Sequence, residues 1–483
     1  MKHPSQFKNE KIIVLGLARS GVSVAKLFHQ LGAIVTVNDR KSREQSPEAA
    51  ELEALGINVI CGYHPEDLVQ ADTALLVKNP GIPYHAAPIV RAQQLGTEVV
   101  TEVEIAYWLS KAPIIGITGS NGKTTTTTLI GELLTAAGLN PVVGGNIGLP
   151  LCEIALEVTE QDWIVAELSS FQLKGTIAFA PQIALILNLA ETHLDYHGDM
   201  QDYIGSKAKI LENQSEGDVA ILNWDDPVTR AFINDCKGIS FPFSIYDTLE
   251  QGVYIDPPFA PIVEGEPLPN AAEEAAVRSI VYRKSQNEPA QTLMPLQRLG
   301  IPGRHNAANA IAAIAACLMA GAKPEALVAP LEQFRGVEHR LEYVGEHRGI
   351  TFYNDSKATN SIATMMTIRS LSAPIVLVAG GLDRGSNYME LLPIFRDRVK
   401  GLVAIGETRF KLEQVAKAAG LERIEIVEPK ASAEQTLDAA VKLADQLAEA
   451  GDIVLLSPAC ASWDMFSSYE QRGSMFKQSV HTL

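Results

Sequence analysis

Cysteine is scarce in this chain. Its five copies, Cys61, Cys152, Cys236, Cys317 and Cys460, are scattered and form no C-x-x-C pair. That excludes a zinc ribbon and a disulfide framework, and leaves reduced thiols as the expectation. Positive charge is also in the minority, with 40 Lys and Arg against 57 Asp and Glu, a net −17. A large nucleic-acid or anionic-membrane surface is therefore not expected. A few local cations can still hold a small anionic substrate. No long apolar run is present. The longest such stretch, 307–322, is Ala-rich and too short to cross a bilayer. The polar start MKHPSQFKNEK has no signal-peptide pattern. These absences predict a cytoplasmic, soluble protein with no nucleic-acid or membrane partner; a monomer is the expectation.

What remains is ordinary globular composition, 46% hydrophobic and 20% charged over 483 residues, enough for several domains. Three αβ blocks stand in tandem. In 1–111, KIIVLG (11–16) reads as a buried strand, SVAKLFHQLG (23–32) as a helix, and VTVND (35–39) and TALLVKNPG (73–81) as further strands. In 112–335, strands are expected at WIVAEL (163–168), IALILNLA (183–190) and VAILN (219–223), and a helix at 303–322. Residues 241–298, rich in Pro and Glu with short alternating pieces such as RSIVYR, read as a small antiparallel appendage. In 336–483, APIVLVAGG (373–381), GLVAIG (401–406) and DIVLLSP (452–458) run into Gly, Ser or Pro loops. Strand–helix alternation predicts an α/β fold of three domains: a Rossmann-like first domain, a central P-loop domain with a parallel sheet, and a Rossmann-like third domain.

Two glycine loops stand at strand-to-helix turns. The first, GLARSG (16–21), is followed by Asp39 at the end of the next strand. Three readings are open for it: NAD, another nucleotide diphosphate, or a turn that only packs strand on helix. Ala18 occupies the place where a dinucleotide loop needs its second glycine. The second loop is GITGSNGKTTTTT (116–128). The full phosphate-loop pattern asks for glycine five places before Gly122, where Ile117 stands. Gly119, Ser120, Asn121, Gly122, Lys123 and Thr124, with Thr125, still give a glycine turn, a lysine at a helix start and a hydroxyl for magnesium. Glu167 ends a buried strand, as a metal-holding carboxylate or as a plain strand-end acid. Asn188, His193 and Asp195 follow the next strand. Asn306 and Asn309 share a helical face at i, i+3, for binding or for capping. NDSKATN (354–360) and SPACASWDMFSSYEQRG (457–473) are loops of small, hydroxyl and charged residues after apolar runs.

With GITGSNGKTT, GGNIGLP (144–150), ELSSFQL (167–173), NLAETHLDYH, SKAKI (206–210), GRHNAAN (303–309), EHRLE (338–342), NDSKATN and SPACASWDMF in that order, the chain resembles the Mur ligase family over nearly its whole length. Within the family it resembles the members that add D-glutamate to UDP-N-acetylmuramoyl-L-alanine. The resemblance implies a UDP-binding domain, a central ATPase domain and a domain for the incoming amino acid. It implies that ATP turns the substrate carboxylate into an acyl phosphate, which the amine attacks.

The resemblance also implies site residues. Lys123, Asn146, His193 and Lys207 form the catalytic set, with Lys123 on the ATP phosphates. Thr124 and Glu167 would hold one Mg²⁺, and His193 with Lys207 a second, Mn²⁺ being an alternative metal. A cationic lysine cannot ligate a metal, and in this family the matching lysine is carbamylated by CO₂. The residues alone read Lys207 as a solvated helix lysine. Asn146 would lie at the muramoyl side. Asn309, Arg340 and Asp355 would bind adenine, ribose and phosphate, Arg340 only once the third domain closes. Arg19, Ser20, Asp39 and Gly81 match the UDP contacts, and Lys357, Thr359, Arg384, Ser462 and Tyr469 the amino-acid contacts. Thr192 and Tyr196 depart from the family pattern, where many members have an acid and Arg. GGLDRG (380–385) leaves Arg384 to meet the acceptor's side-chain carboxylate. Rivals are a folylpolyglutamate synthetase, which has no need of 1–111, a P-loop motor or switch, and an NAD oxidoreductase, which leaves GSNGKTT unexplained.

Overall fold

Short β-branched runs stopped by glycine become buried strands here, and the amphipathic stretches between them become helices. The computed structural model describes residues 3–261, 277–371 and 373–483. The chain divides into two units, Met1–Leu299 with Ala307–Glu332, and Gly300–Asn306 with Gln333–Leu483.

The first unit begins with a parallel sheet ordered β3-β2-β1-β4-β5, made of β1 Lys11–Leu15, β2 Ile34–Asp39, β3 Asn58–Cys61, β4 Thr73–Lys78 and β5 Glu98–Val100. Alternate residues of β1 serve opposite faces. Ile12 and Val14 pack with Val24 and Phe28, while Ile13 and Leu15 pack with Leu76 and Ile89. Burial on both faces is why the strand reads as an unbroken apolar run. The expected helix at 23–32 starts earlier and spans Arg19–Gln30.

The second sheet is also parallel, ordered β11-β10-β9-β6-β8-β7, with β6 Ile114–Thr118, β7 Asn140–Gly145, β8 Asp162–Glu167, β9 Ile183–Ile186, β10 Val219–Leu222 and β11 Ile239–Ser240. Pro141 and the two glycines that end β7 hid it from the sequence pattern. Helix Glu102–Leu109 joins the two sheets. Its Glu102 accepts the Cys152 N–H at 2.6 Å, and Glu104 accepts those of Ile177, Ala178 and Phe179. The appendage is mixed and not wholly antiparallel: β12 Phe243–Ser244 runs parallel to β13 Gly252–Asp256, and only β13, β14 Ser279–Arg283 and β15 Gln291–Pro295 alternate in direction. Residues 262–276 of that expectation lie outside the described residues.

The second unit holds one sheet, ordered β16-β17-β21-β18-β19-β20, with β16 Glu342–His347, β17 Ile350–Asn354, β18 Ile375–Gly380, β19 Val399–Ile405, β20 Arg423–Ile426 and β21 Ile453–Leu456. Edge strand β16 is antiparallel and the others are parallel. No helix among the described residues is long and apolar enough to cross a membrane.

Candidate active site

Parallel sheets bind ligands where the strand order reverses, beyond the carboxyl ends of the strands. In the second sheet that point lies between β6 and β9, and the loop after β6 is the second glycine loop. Gly122 has φ +84° and begins helix Lys123–Ala136. A Cβ there would lie 2.2 Å from Asn309 Oδ1, so Asn309 sits directly on the loop. Asn188, past β9, brackets it from the other side. Its Oδ1 accepts the Asn121 N–H at 2.8 Å, and its carbonyl accepts the Ser120 N–H at 2.9 Å. Lys123 Nζ donates to the carbonyls of Gly119 and Ser120. Thr124 and Thr125 are buried in the first helical turn.

Glu167, at the end of β8, is 2% exposed. Its Oε1 accepts from Asn146 Nδ2 at 2.8 Å, and its carbonyl accepts from the Asn146 N–H. Its Oε2 is buried with no hydrogen-bond partner. A buried carboxylate oxygen without a donor is a group that a cation would satisfy. An acid and a threonine hydroxyl beside a phosphate loop suit a hard divalent ion that takes its other ligands from phosphate and water. Among the described residues no three His, Cys, Asp or Glu side chains form a metal cluster by themselves. The Asp195 side chain lies outside the described residues.

Lys207 is not the solvated lysine its sequence context suggests. It is 2% exposed, and Nζ donates to Gly119 O at 2.9 Å and Thr118 Oγ1 at 3.2 Å. Burial first, then the charge of Lys123, pushes its pKa down to about 6, against the pull of Glu167. Tyr203, one helical turn earlier, lies under the Lys207 ammonium at 5.0 Å and bonds Ser120 Oγ at 2.8 Å. Sequence reasoning missed Tyr203; its i, i+4 spacing from Lys207 on helix Met200–Glu212 was the available signal. His193, with φ +57° and its ring edge-on to Phe171 at 5.1 Å, caps the short helix Leu194–His197 that precedes Met200–Glu212.

The first glycine loop lies at the switch point of the first sheet, between β1 and β4. Asp39 Oδ2 accepts the Leu17 N–H at 2.7 Å and Oδ1 the Lys41 N–H at 2.8 Å. Ser20 Oγ donates to Asn79 Oδ1 at 3.0 Å, and Arg19 reaches Gly148 O at 2.8 Å, next to the Asn146 loop. Gly81 lies exposed just beyond β4. Asn79 was not picked out from sequence.

In the second unit three loops meet at the carboxyl edge. Asp355, after β17, is buried and accepts from Leu341 N, Thr367 Oγ1 and Ser457 Oγ; burial raises its pKa to about 6, with Arg340 opposing. Lys357 Nζ lies 5.6 Å over the Tyr469 ring, and the Thr359 N–H bonds the Lys357 carbonyl. Arg384, after β18, stacks on the exposed Trp463 at 5.1 Å, beside buried Ser462. Arg472, fully buried, donates to Ser356 Oγ, Ser356 O and Cys460 O, and so braces the Lys357 loop against the Ser462 loop. The structure thus brings Asn309, Asn188 and Lys207 onto Gly119–Thr124 and pairs Glu167 with Asn146 beyond the neighbouring strand, whereas His193 packs on Phe171. Arg340, Asp355 and the amino-acid positions lie in the second unit.

Three family models match the chain: "Mur ligase MurD-like, N-terminal domain" over 10–101, "Mur ligase middle domain" over 117–317, and "Mur ligase, glutamate ligase domain" over 339–460. UDP-N-acetylmuramoylalanine--D-glutamate ligase of Geobacillus kaustophilus is 43% identical over 484 residues, covering all of both chains. The protein of that name from Bacillus thuringiensis strain Al Hakam is 44% identical over 483 residues, again end to end. Among solved structures, MurF from Acinetobacter baumannii superposes with a TM-score of 0.57 at 20% identity, over 94% of this chain and 91% of that one. MurF ligase from Thermotoga maritima, in complex with ADP, gives 0.54 at 14% identity, over 99% and 97%. These two show the shared fold. Matched over most of its length by the family models and end to end by close relatives, the chain belongs to the Mur ligase family.

Proposed function

We propose that this chain is an ATP-dependent ligase that joins D-glutamate to UDP-N-acetylmuramoyl-L-alanine, in the cytoplasmic steps of peptidoglycan synthesis. The observation that carries it is the Glu167 edge. A buried carboxylate oxygen without a donor, Asn146 bonded to the other oxygen of that carboxylate, and a glycine loop that opens a helix with Lys123 meet at one sheet edge. The end-to-end likeness to D-glutamate ligases supports the substrate pair. In this reading 1–111 holds the UDP substrate, 112–335 ATP, and 336–483 the amino acid.

A carboxylate is a poor electrophile. Its oxygen attacks the γ-phosphorus of ATP, ADP leaves, and an acyl phosphate forms. The amine of D-glutamate attacks the acyl carbon, phosphate leaves with the former carboxylate oxygen, and the nitrogen loses a proton. Lys123 neutralises charge on the transferred phosphoryl group. Thr124 and Glu167 would hold one Mg²⁺, and His193 with a carbamylated Lys207 a second; the ions supply charge neutralisation at the phosphoryl oxygens. The depressed Lys207 pKa favours the neutral amine, the form that takes up CO₂. Asn146 orients the muramoyl side, and Asn309 with Arg340 and Asp355 holds the nucleotide. Lys357, Thr359, Ser462 and Tyr469 seat the amino acid, and Arg384 meets its side-chain carboxylate in a two-pronged pair.

The test is phosphate release with ATP, Mg²⁺ and UDP-N-acetylmuramoyl-L-alanine, adding D-Glu, L-Glu, L-Lys and diaminopimelate singly and weighing the product. Turnover with D-Glu alone, with one glutamyl mass gained, is the expected result. ATP hydrolysis that ignores every acceptor would overturn it.

A further inference from the structure

Lys78 ends β4 and is 1% exposed. Burying an ammonium is costly unless a carboxylate compensates it. Among the described residues no carboxylate lies within ion-pair distance of Lys78. Its Nζ donates to Pro80 O at 3.0 Å and to the Tyr196 hydroxyl at 3.2 Å, and lies 4.6 Å over the Tyr84 ring. The Tyr196 hydroxyl in turn lies 3.1 Å from Pro80 O and 3.3 Å from Ile82 O. Burial, and then neighbouring Lys174, lowers the Lys78 pKa to about 7, so the site opposes the charge it holds. Packing alone would be better served by an apolar side chain.

The loop gripped in this way, 79–82, contains Gly81. Its other side is fixed by Asn79. The Asn79 N–H donates to Leu15 O at 2.8 Å, and its side chain lies so close to the first glycine loop that a Cβ on Gly16 would come within 2.5 Å of it. One short loop is therefore tethered twice, by Asn79 to the first glycine loop and by Lys78 to Tyr196, three residues beyond His193.

We propose that Lys78 is a positioning residue: with Tyr196 it presents the Gly81 loop to the UDP substrate and holds that loop in register with the His193 turn. This rests on the ligase reading above. Steady-state kinetics on the full chain tests it, with Lys78→Met, Tyr196→Phe and the double variant K78M/Y196R, which returns a cation from the other end of the same contact. Lys78→Met is expected to raise KM for UDP-N-acetylmuramoyl-L-alanine about 10-fold, with KM for ATP and D-glutamate within about twofold. Its thermal midpoint should hold or rise, because a buried charge is gone. Tyr196→Phe should move the same KM in the same direction, and K78M/Y196R should recover most of the loss. An unchanged KM for the UDP substrate in Lys78→Met would overturn the proposal. So would a general loss of activity with a falling midpoint, or no recovery in the double variant. Should the wild type fail to ligate any acceptor, the ligase reading falls first. Calorimetry with UDP then decides the loop separately: weaker binding to Lys78→Met supports it, and equal binding overturns it.

Discussion

The two glycine loops of the first unit share a local design and differ in what their acids do. Each follows a buried parallel strand, opens a helix and sits at a switch point of its sheet. Behind the first loop, both oxygens of Asp39 are taken by backbone N–H groups of Leu17 and Lys41. Behind the second, Glu167 gives one oxygen to Asn146 and keeps the other buried without a donor. The first acid holds its loop in shape. The second is held in shape by its neighbours and keeps an oxygen for something else. Loop geometry alone does not separate the two; the hydrogen bonding of the acid behind each loop does.

The strongest way to break this contrast is Glu167→Gln. It keeps the shape and the Asn146 bond but removes the charge. Ligation should fall by about 10³-fold or more, with the thermal midpoint unchanged or raised. Retained turnover in the phosphate-release assay would show that the free oxygen has no part in the chemistry. Asp39→Asn should do the reverse and act on stability. One backbone N–H loses its acceptor, a cost of about 1–3 kcal/mol. The midpoint should fall, and KM for the UDP substrate should rise while kcat changes little. A lost kcat with normal stability would erase the distinction.

A third carboxylate sharpens the comparison through pH. Glu102 accepts the Cys152 N–H, and burial raises its pKa from 4.5 to about 7. The folded protein then holds this proton more tightly than the unfolded chain does. Its contribution to stability is full below pH 4.5, falls as pH rises to 7, and stays low above that. Glu102→Gln should match wild type near pH 4.5 and exceed it at pH 8 by on the order of 3 kcal/mol, at 1.36 kcal/mol per pH unit. Denaturant unfolding at the two pH values reads this; a gap that does not grow with pH would refute it. The smallest effect is expected from removing 241–298. Its strands attach beyond β10, where Trp224 N–H meets Phe243 O, away from the glycine loop. ATP affinity, measured by calorimetry, should stay within about twofold. Lost nucleotide binding would make the appendage part of the site.

Most of the fold was legible because its signals are local. A glycine turn between a β-branched strand and an amphipathic helix is written in ten consecutive residues, and GSNGKT could be read despite Ile117. Strand β7 was not legible, since Pro141 and its terminal glycines carry no strand signature and its place comes from pairing with β8. Site residues divide in the same way. Asn309 stood out by helical spacing and does lie on Gly122. Lys207 looked solvated from its neighbours because its burial depends on Tyr203 and the glycine loop, which are distant in sequence. Lys78 and Arg472 were invisible for the same reason. A cation at a strand end or in a terminal helix reads as surface until the fold closes over it.

Arg472 carries a consequence for how the loops around it tolerate change. Two of its three bonds end on main-chain carbonyls, of Ser356 and Cys460. Carbonyls are present whatever side chain is attached. The side chains at 357, 359 and 462 can therefore be exchanged while the distance between their loops stays fixed. A single buried guanidinium of this kind ties two loops together chiefly without reading their side chains, and replacing Arg472 would release both at once.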